Sequence, residues 1–290
     1  MVLFATHFLS FLFLFPIAIR RLVCSVSLYL ESPAQFSSKT WYFSEPKWKN
    51  WDFYTLLVAL PIASFSHIYL FLAISGLPTY RFSFLAQSLL IFLFWALLIL
   101  IILKESLDLY VVPESFVFIL GGIAFLAEYF MNGRGILGLG GVAYELLGGL
   151  ALVCAACCLY LSIWPSAFFA DFLLSSGLVL KAVWVLQLGL SLYTDAFSVK
   201  GCEKMTIMQG NNREVDVKCD LEEDKLRGMA LTNLLFIVHT TLVLISSFVL
   251  FGLLHRIGNT RSREDSGPLL SNIGSSEGIV MNPLPIFELE

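Results

Sequence analysis

The chain has 290 residues, 58% of them hydrophobic and only 14% charged, with a net charge of −4 and a mean hydropathy of +0.81. A soluble domain averages about 45–50% apolar and about 25% charged residues, so an ordinary soluble fold is excluded. The slightly acidic balance also leaves no electrostatic case for a nucleic-acid partner.

Several runs of eighteen or more residues almost lack charge, and each can cross a bilayer core of about 30 Å as a helix. They predict an all-α, polytopic transmembrane helix bundle of about seven spans over residues 1–256, followed by a disordered tail over 257–290. The first span, 2–19, meets Arg20-Arg21. Nothing basic precedes its apolar core and two arginines follow it, so it reads as an uncleaved helix with its N-terminus outside, not as a signal peptide. The second span covers 51–75 and the third 84–103, ending at Lys104-Glu105. The fourth, 113–131, is entered through Val112-Pro113, a helix-start signal, and the fifth, 139–163, is closed by Trp164-Pro165. The sixth covers 166–193 and the seventh 229–254. Trp41, Trp48, Trp51 and Trp164 sit at span edges, where interfacial aromatic belts are expected.

Basic residues orient the bundle. Leaving out the long loop at 194–228, one side holds Arg20, Arg21, Lys39, Lys47, Lys49, Lys104, Arg256, Arg261 and Arg263, and the other only Arg81 and Arg134. The positive-inside rule discounts long loops, so the tail is expected in the cytosol and the N-terminus outside or in a lumen.

The string "NGRGILGLGG" over 132–141 matches G-x-G-x-x-G in letters. A dinucleotide turn needs a strand before it and an acidic residue about 20 positions on. Here membrane spans flank it, so it reads as a tight turn into the fifth span. Gly138, Gly141, Gly148 and Gly149 would let neighbouring backbones approach closely.

Ionisable residues inside spans are more informative, because a charge near the bilayer centre costs about 2.5–3.5 kcal/mol on insertion scales. Glu128 lies near the outer end of the fourth span, Glu145 about a turn into the fifth, and Lys181 near the middle of the sixth. Trp184 and Gln187 follow Lys181 on nearby faces, while His67, His239 and Asn233 lie within the second and last spans. These residues predict a polar cavity in the outer half of the bundle for a small solute or ion, with Lys181 paired to Glu145 or Glu128. Glu128 and Glu145 are expected at one depth. Asp171 stands apart near the cytosolic end. Structural ion pairing is the competing reading.

No enzyme is nominated. The four histidines, His7, His67, His239 and His255, contain no H-x-x-x-H pair and are too poorly placed to hold two haems. No G-x-S-x-G elbow is present either. Neither a metal nor a cofactor is expected. Cys202 and Cys219 share the outer loop, and a bridge closing seventeen residues would contribute about 3 kcal/mol in the chain-entropy model. Cys154, Cys157 and Cys158 read as small apolar packing. In the tail, Asp265 followed by Leu269-Leu270 is similar to an acidic dileucine sorting signal, which would bring in sorting adaptors and an endosomal or vacuolar membrane; the plasma membrane is the other location expected.

The stretch "CDLEEDKLRGMALTNLLFIVH" (219–239), preceded by "VWVLQLGLSLY" (183–193), resembles the transmembrane protein 45 family, multi-pass proteins of plants and animals without an assigned biochemical activity. The shared pattern is Trp184, then Gln187-Leu188-Gly189, then Cys219-Asp220-Leu221, then a last helix with His239. The loop wording is most similar to plant members. The resemblance implies seven helices and no reaction, over about 113–255. Animal members tend to carry a glutamine where Lys181 stands and histidines where Asn132-Gly133-Arg134 stand. The expectation is a non-enzymatic membrane protein that binds or conducts a small solute or ion, or else one that serves interaction and trafficking. A lipid-modifying enzyme is the weakest alternative.

Overall fold

The computed structural model describes residues 2–44, 47–73, 78–106, 112–132, 139–194, 201–209, 212–219 and 221–265. Among them are seven long helices: α1 (Val2–Glu31), α2 (Trp51–Ala73), α3 (Pro78–Ser106), α4 (Glu114–Met131), α5 (Leu139–Ile163), α6 (Phe168–Tyr193) and α7 (Glu222–Asp265). Two strands, β1 (Cys202–Gln209) and β2 (Asn212–Cys219), form an antiparallel hairpin between α6 and α7. Among the described residues, α1 and α3 to α7 are each long and apolar enough to cross a membrane. The outside of the bundle is covered with apolar side chains, such as Ile62 and Phe65 on α2 and Leu242 and Phe248 on α7. A contiguous apolar surface of this kind suits lipid, not water. The protein is a helical integral membrane protein.

Helix α6 forms the centre. Its Leu180, Trp184, Leu188 and Leu192 are buried together with Ala18 of α1, Ala143, Leu147 and Leu150 of α5, and Val243 of α7. Helix α1 runs antiparallel to it: Tyr29 stacks on Phe168 at 3.9 Å between ring centroids, while His7 lies at the far end beside Tyr193. The two backbones approach closely at Gly189, where an added Cβ would fall 2.8 Å from the Cβ of His7. Helices α4 and α5 meet similarly at Gly148, which lies against Tyr129 and Asn132. Gly149 has open space beside it and makes no such contact.

Three expectations need correction. First, α1 does not stop at residue 19 but continues to Glu31, so Arg20 and Arg21 lie within the helix and not in a flanking loop. Paired arginines do not end a helix when carboxylates neutralise them, and here Asp52 and Asp171 do. Second, α7 exceeds 229–254 at both ends and, with 44 residues, is about 66 Å long at 1.5 Å per residue. The first tail residues, 257–265, are therefore helix and not disordered; no proline occurs until Pro268 to stop it. Third, the polar loop at 194–228 contains the hairpin, whose register pairs Cys202 with Cys219 at its base. These two cysteines are disulfide-bonded. The glycines at 133–138 and the leucines of the sorting pattern, Leu269 and Leu270, lie outside the described residues.

Candidate functional site

The bundle has a hairpin end, with the C-terminus of α6 and the β-hairpin, and an opposite end crossed by residues 32–44, which follow α1 and are called the strap. Near the midpoint of α6, the Lys181 ammonium donates to the Glu128 carboxylate of α4. Both side chains are largely buried. Lys181 also faces two aromatic rings, with its nitrogen 5.0 Å from the centroid of Phe125 and 5.9 Å from that of Phe94. Of the two partners expected for Lys181, Glu128 is the one it meets.

A turn further towards the hairpin, the Trp184 indole N–H donates to the Ala143 carbonyl at 3.0 Å. Its ring meets His239 edge-on at 5.9 Å. The His239 Nδ1 lies 2.8 Å from the Leu235 carbonyl oxygen, so Nδ1–H donates and a neutral ring keeps Nε2 as an acceptor. Gln187 is buried and donates to Ser191 at 3.0 Å. At the same end, the His7 Nε2 and the Tyr144 hydroxyl are 3.0 Å apart. The Lys181–Glu128 pair, then Trp184 with His239, then Gln187 thus follow one another towards the hairpin end.

The remaining predicted residues do not join them. Glu145 and Asn233 are exposed on the outside of α5 and α7. Glu145 is also not level with Glu128, because Gly148 already packs on Tyr129 and Asn132. Antiparallel pairing from that contact puts the two residues about 6–10 Å apart along the bundle, at 1.5 Å per residue. His67 sits between α2 and α3, beside the Phe84 ring at 6.2 Å, with its Nδ1 buried and unbonded. Among the described residues no group of three or more His, Cys, Asp and Glu could hold a metal ion.

The densest polar constellation is at the strap end, and residue-by-residue reading missed it. Asp171 of α6 is fully buried. Its carboxylate accepts from Arg21 and Ser25 of α1, from Ser38 at 2.6 Å and from Tyr42 at 3.0 Å. Arg21 donates further to the carbonyls of Lys39 at 2.9 Å and Thr40 at 2.7 Å. Arg20 pairs with Asp52 and reaches the Tyr42 carbonyl, the Ser44 hydroxyl and the Asn50 side chain. Glu114 of α4 accepts from the Thr40 amide and hydroxyl and pairs with Lys104 of α3. Burial, reinforced by the neighbouring Asp171 carboxylate, pushes the Tyr42 phenol up to about 12. The signal for this cluster was the isolated Asp171, one turn inside an otherwise apolar helix start; its partners lie about 130 to 150 positions away.

Lys181 and Glu128 make one charged hydrogen bond within an aromatic frame. At the strap end Asp171 meets four donors and Arg21 and Arg20 each reach several acceptors, while Arg21 Nε and Asp52 Oδ2 are buried without a hydrogen-bond partner among the described residues. No protein among the curated sequences matches this chain. Residues 114–252, from the start of α4 into α7, match the model of a family of unknown function, DUF716.

Proposed function

We propose that this integral membrane protein is non-catalytic and binds or conducts a small solute or ion through the hairpin half of its bundle. The observation that carries the reading is the Lys181–Glu128 pair near the midpoint of α6. Two ionised groups at that depth cost several kcal/mol to desolvate, and a hydrophobic pair would hold α4 to α6 as well. A cation or a zwitterion can exchange with such a pair, with Gln187 and His239 as the next polar groups along α6 and α7. In this reading the N-terminus is outside or lumenal and the strap end cytosolic. Asp265 with Leu269-Leu270 then meets sorting adaptors from the cytosol and directs the protein to endosomal or vacuolar membranes.

The test is flux into reconstituted vesicles, with a panel of monovalent cations, protons and small zwitterions, for the wild type and Lys181→Leu. Uptake by the wild type and its loss in the variant is the expected outcome. Absence of flux for every member, with normal insertion of both proteins, overturns the reading.

One observation favours a second reading, that of an interaction protein within the bilayer. Glu145 is exposed on the outer face of α5 and makes no hydrogen bond among the described residues, as though presented to another helix. Proximity cross-linking from position 145 distinguishes the two, since a pathway protein has no need of a neighbour there.

A further inference from the structure

The strap touches almost every helix that reaches its end of the bundle. Phe36 is buried against Tyr29 of α1 and Phe168 of α6, at 5.7 and 5.5 Å between ring centroids. The Ser38 amide donates to the Pro165 carbonyl in the turn between α5 and α6 at 2.7 Å, and its hydroxyl to Asp171. Thr40 is gripped from two sides, with its carbonyl held by Arg21 of α1 and its amide and hydroxyl by Glu114 of α4. The chain therefore passes between α1 with α6 on one side and α4 on the other. Tyr42, Ser44 and Asn50 then lead into α2 under the grip of Arg20. A loop needed only to join two helices has no cause to enter the bundle, and burying its backbone requires this many donors and acceptors.

We propose that the strap is the inner closure of the solute pathway, and that the Arg21–Asp171 pair is the latch that holds it shut. The inference rests on the pathway reading given above. Saturation of Asp171 by Arg21, Ser25, Ser38 and Tyr42 makes the shut state well defined. Asp171 is the polar point where α1, α6 and the strap are joined, beside the apolar contact of Phe36 with Tyr29 and Phe168. Releasing it frees the Ser38 and Tyr42 hydroxyls together, while the Ser38 amide stays on Pro165 and Glu114 and Arg20 still tether Thr40, Tyr42 and Ser44, so the strap loosens around Asp171 without unfolding.

Native cysteines report on this. Cys157 and Cys158 are buried on α5 in the same cluster as Ala170 and Leu174 of α6, just behind Asp171, and Cys154 lies further in beside Gly177. The experiment follows reaction of these thiols with a small, charged methanethiosulfonate in the full-length protein in detergent, for the wild type, Asp171→Asn and Ser38→Ala. The expected result is slow labelling in the wild type and at least ten-fold faster labelling of Cys157 and Cys158 in both variants, with Cys154 lagging and the helical circular dichroism unchanged. Unchanged rates in both variants overturn the latch. Equal acceleration at all three thiols with loss of helical signal also overturns it, because the cluster would then be a clamp on the fold alone. The assay contains no solute, so normal labelling changes without flux would sink the pathway and leave the moving strap, whereas flux with unchanged labelling would sink only the latch.

Discussion

The two buried ion pairs on α6 are built in opposite ways. Arg21–Asp171 stands at the strap end with its carboxylate meeting four donors and its guanidinium reaching two backbone carbonyls. Lys181–Glu128, ten residues along the same helix and about 15 Å away at 1.5 Å per residue, has one charged bond and two aromatic rings. The first network can be altered only by leaving several polar groups without partners. The second involves only its own two members. Buried charge is thus built differently at two levels of one helix, with many partners at one and a single partner at the other.

Paired substitutions would break that comparison if it is wrong. Asp171→Ala leaves Arg21 buried and uncompensated and is expected to cost about 3–5 kcal/mol, read as thermal unfolding in detergent. The double variant Arg21→Met/Asp171→Leu should stay well below wild type, because Ser38, Tyr42 and the carbonyls of Lys39 and Thr40 lose partners at about 1–3 kcal/mol each. Lys181→Met/Glu128→Met, by contrast, should return close to wild-type stability, since apolar replacement of a whole buried pair is often neutral. Equal recovery of both doubles would erase the distinction.

A smaller effect sharpens it. Gly189→Val forces a side chain against His7 at the hairpin end of the α1–α6 seam and should cost about 1–3 kcal/mol. If instead the seam yields without loss, the strap end alone holds α1. The smallest expected effect concerns Tyr42. Its phenol is raised to about 12 in the folded protein, against about 10 for a free tyrosine. The folded state therefore holds a proton that the unfolded chain gives up. The resulting stabilisation is complete below pH 10 and is lost as pH rises through 12. Unfolding midpoints between pH 9 and 12 should fall for the wild type and fall less for Tyr42→Phe. Identical slopes would mean that Asp171 and burial do not act on Tyr42.

Most helix positions were legible because apolar runs and their proline or charged boundaries are local signals. The end of α5 and the start of α6 were readable from Trp164-Pro165 for that reason. Helix α1 was cut short because Arg20-Arg21 reads as a membrane boundary in any local window, and the carboxylates that neutralise them lie elsewhere in the chain. Lys181 could be narrowed to two acidic partners but not to one, since depth alone does not say which face of α5 carries Glu145. Asn233 and His67 were misplaced for the same reason: in a helix apolar on every side, periodicity does not identify the inward face. The hairpin was missed because its strands mix charged and apolar residues within a segment whose polarity reads as loop.

The junction at Asp171 also has a consequence in time. Arg21 leaves the ribosome 150 residues before the carboxylate it will meet. At synthesis rates of about 5–20 residues per second, it waits roughly 8–30 s with no partner of its own on α6. During that interval α1 is a poor membrane helix, holding two arginines that only later segments can neutralise. A chain truncated before α6 would keep Arg21 unmatched indefinitely. Completion of the strap end is therefore a late step of folding, open only once the sixth helix has been made.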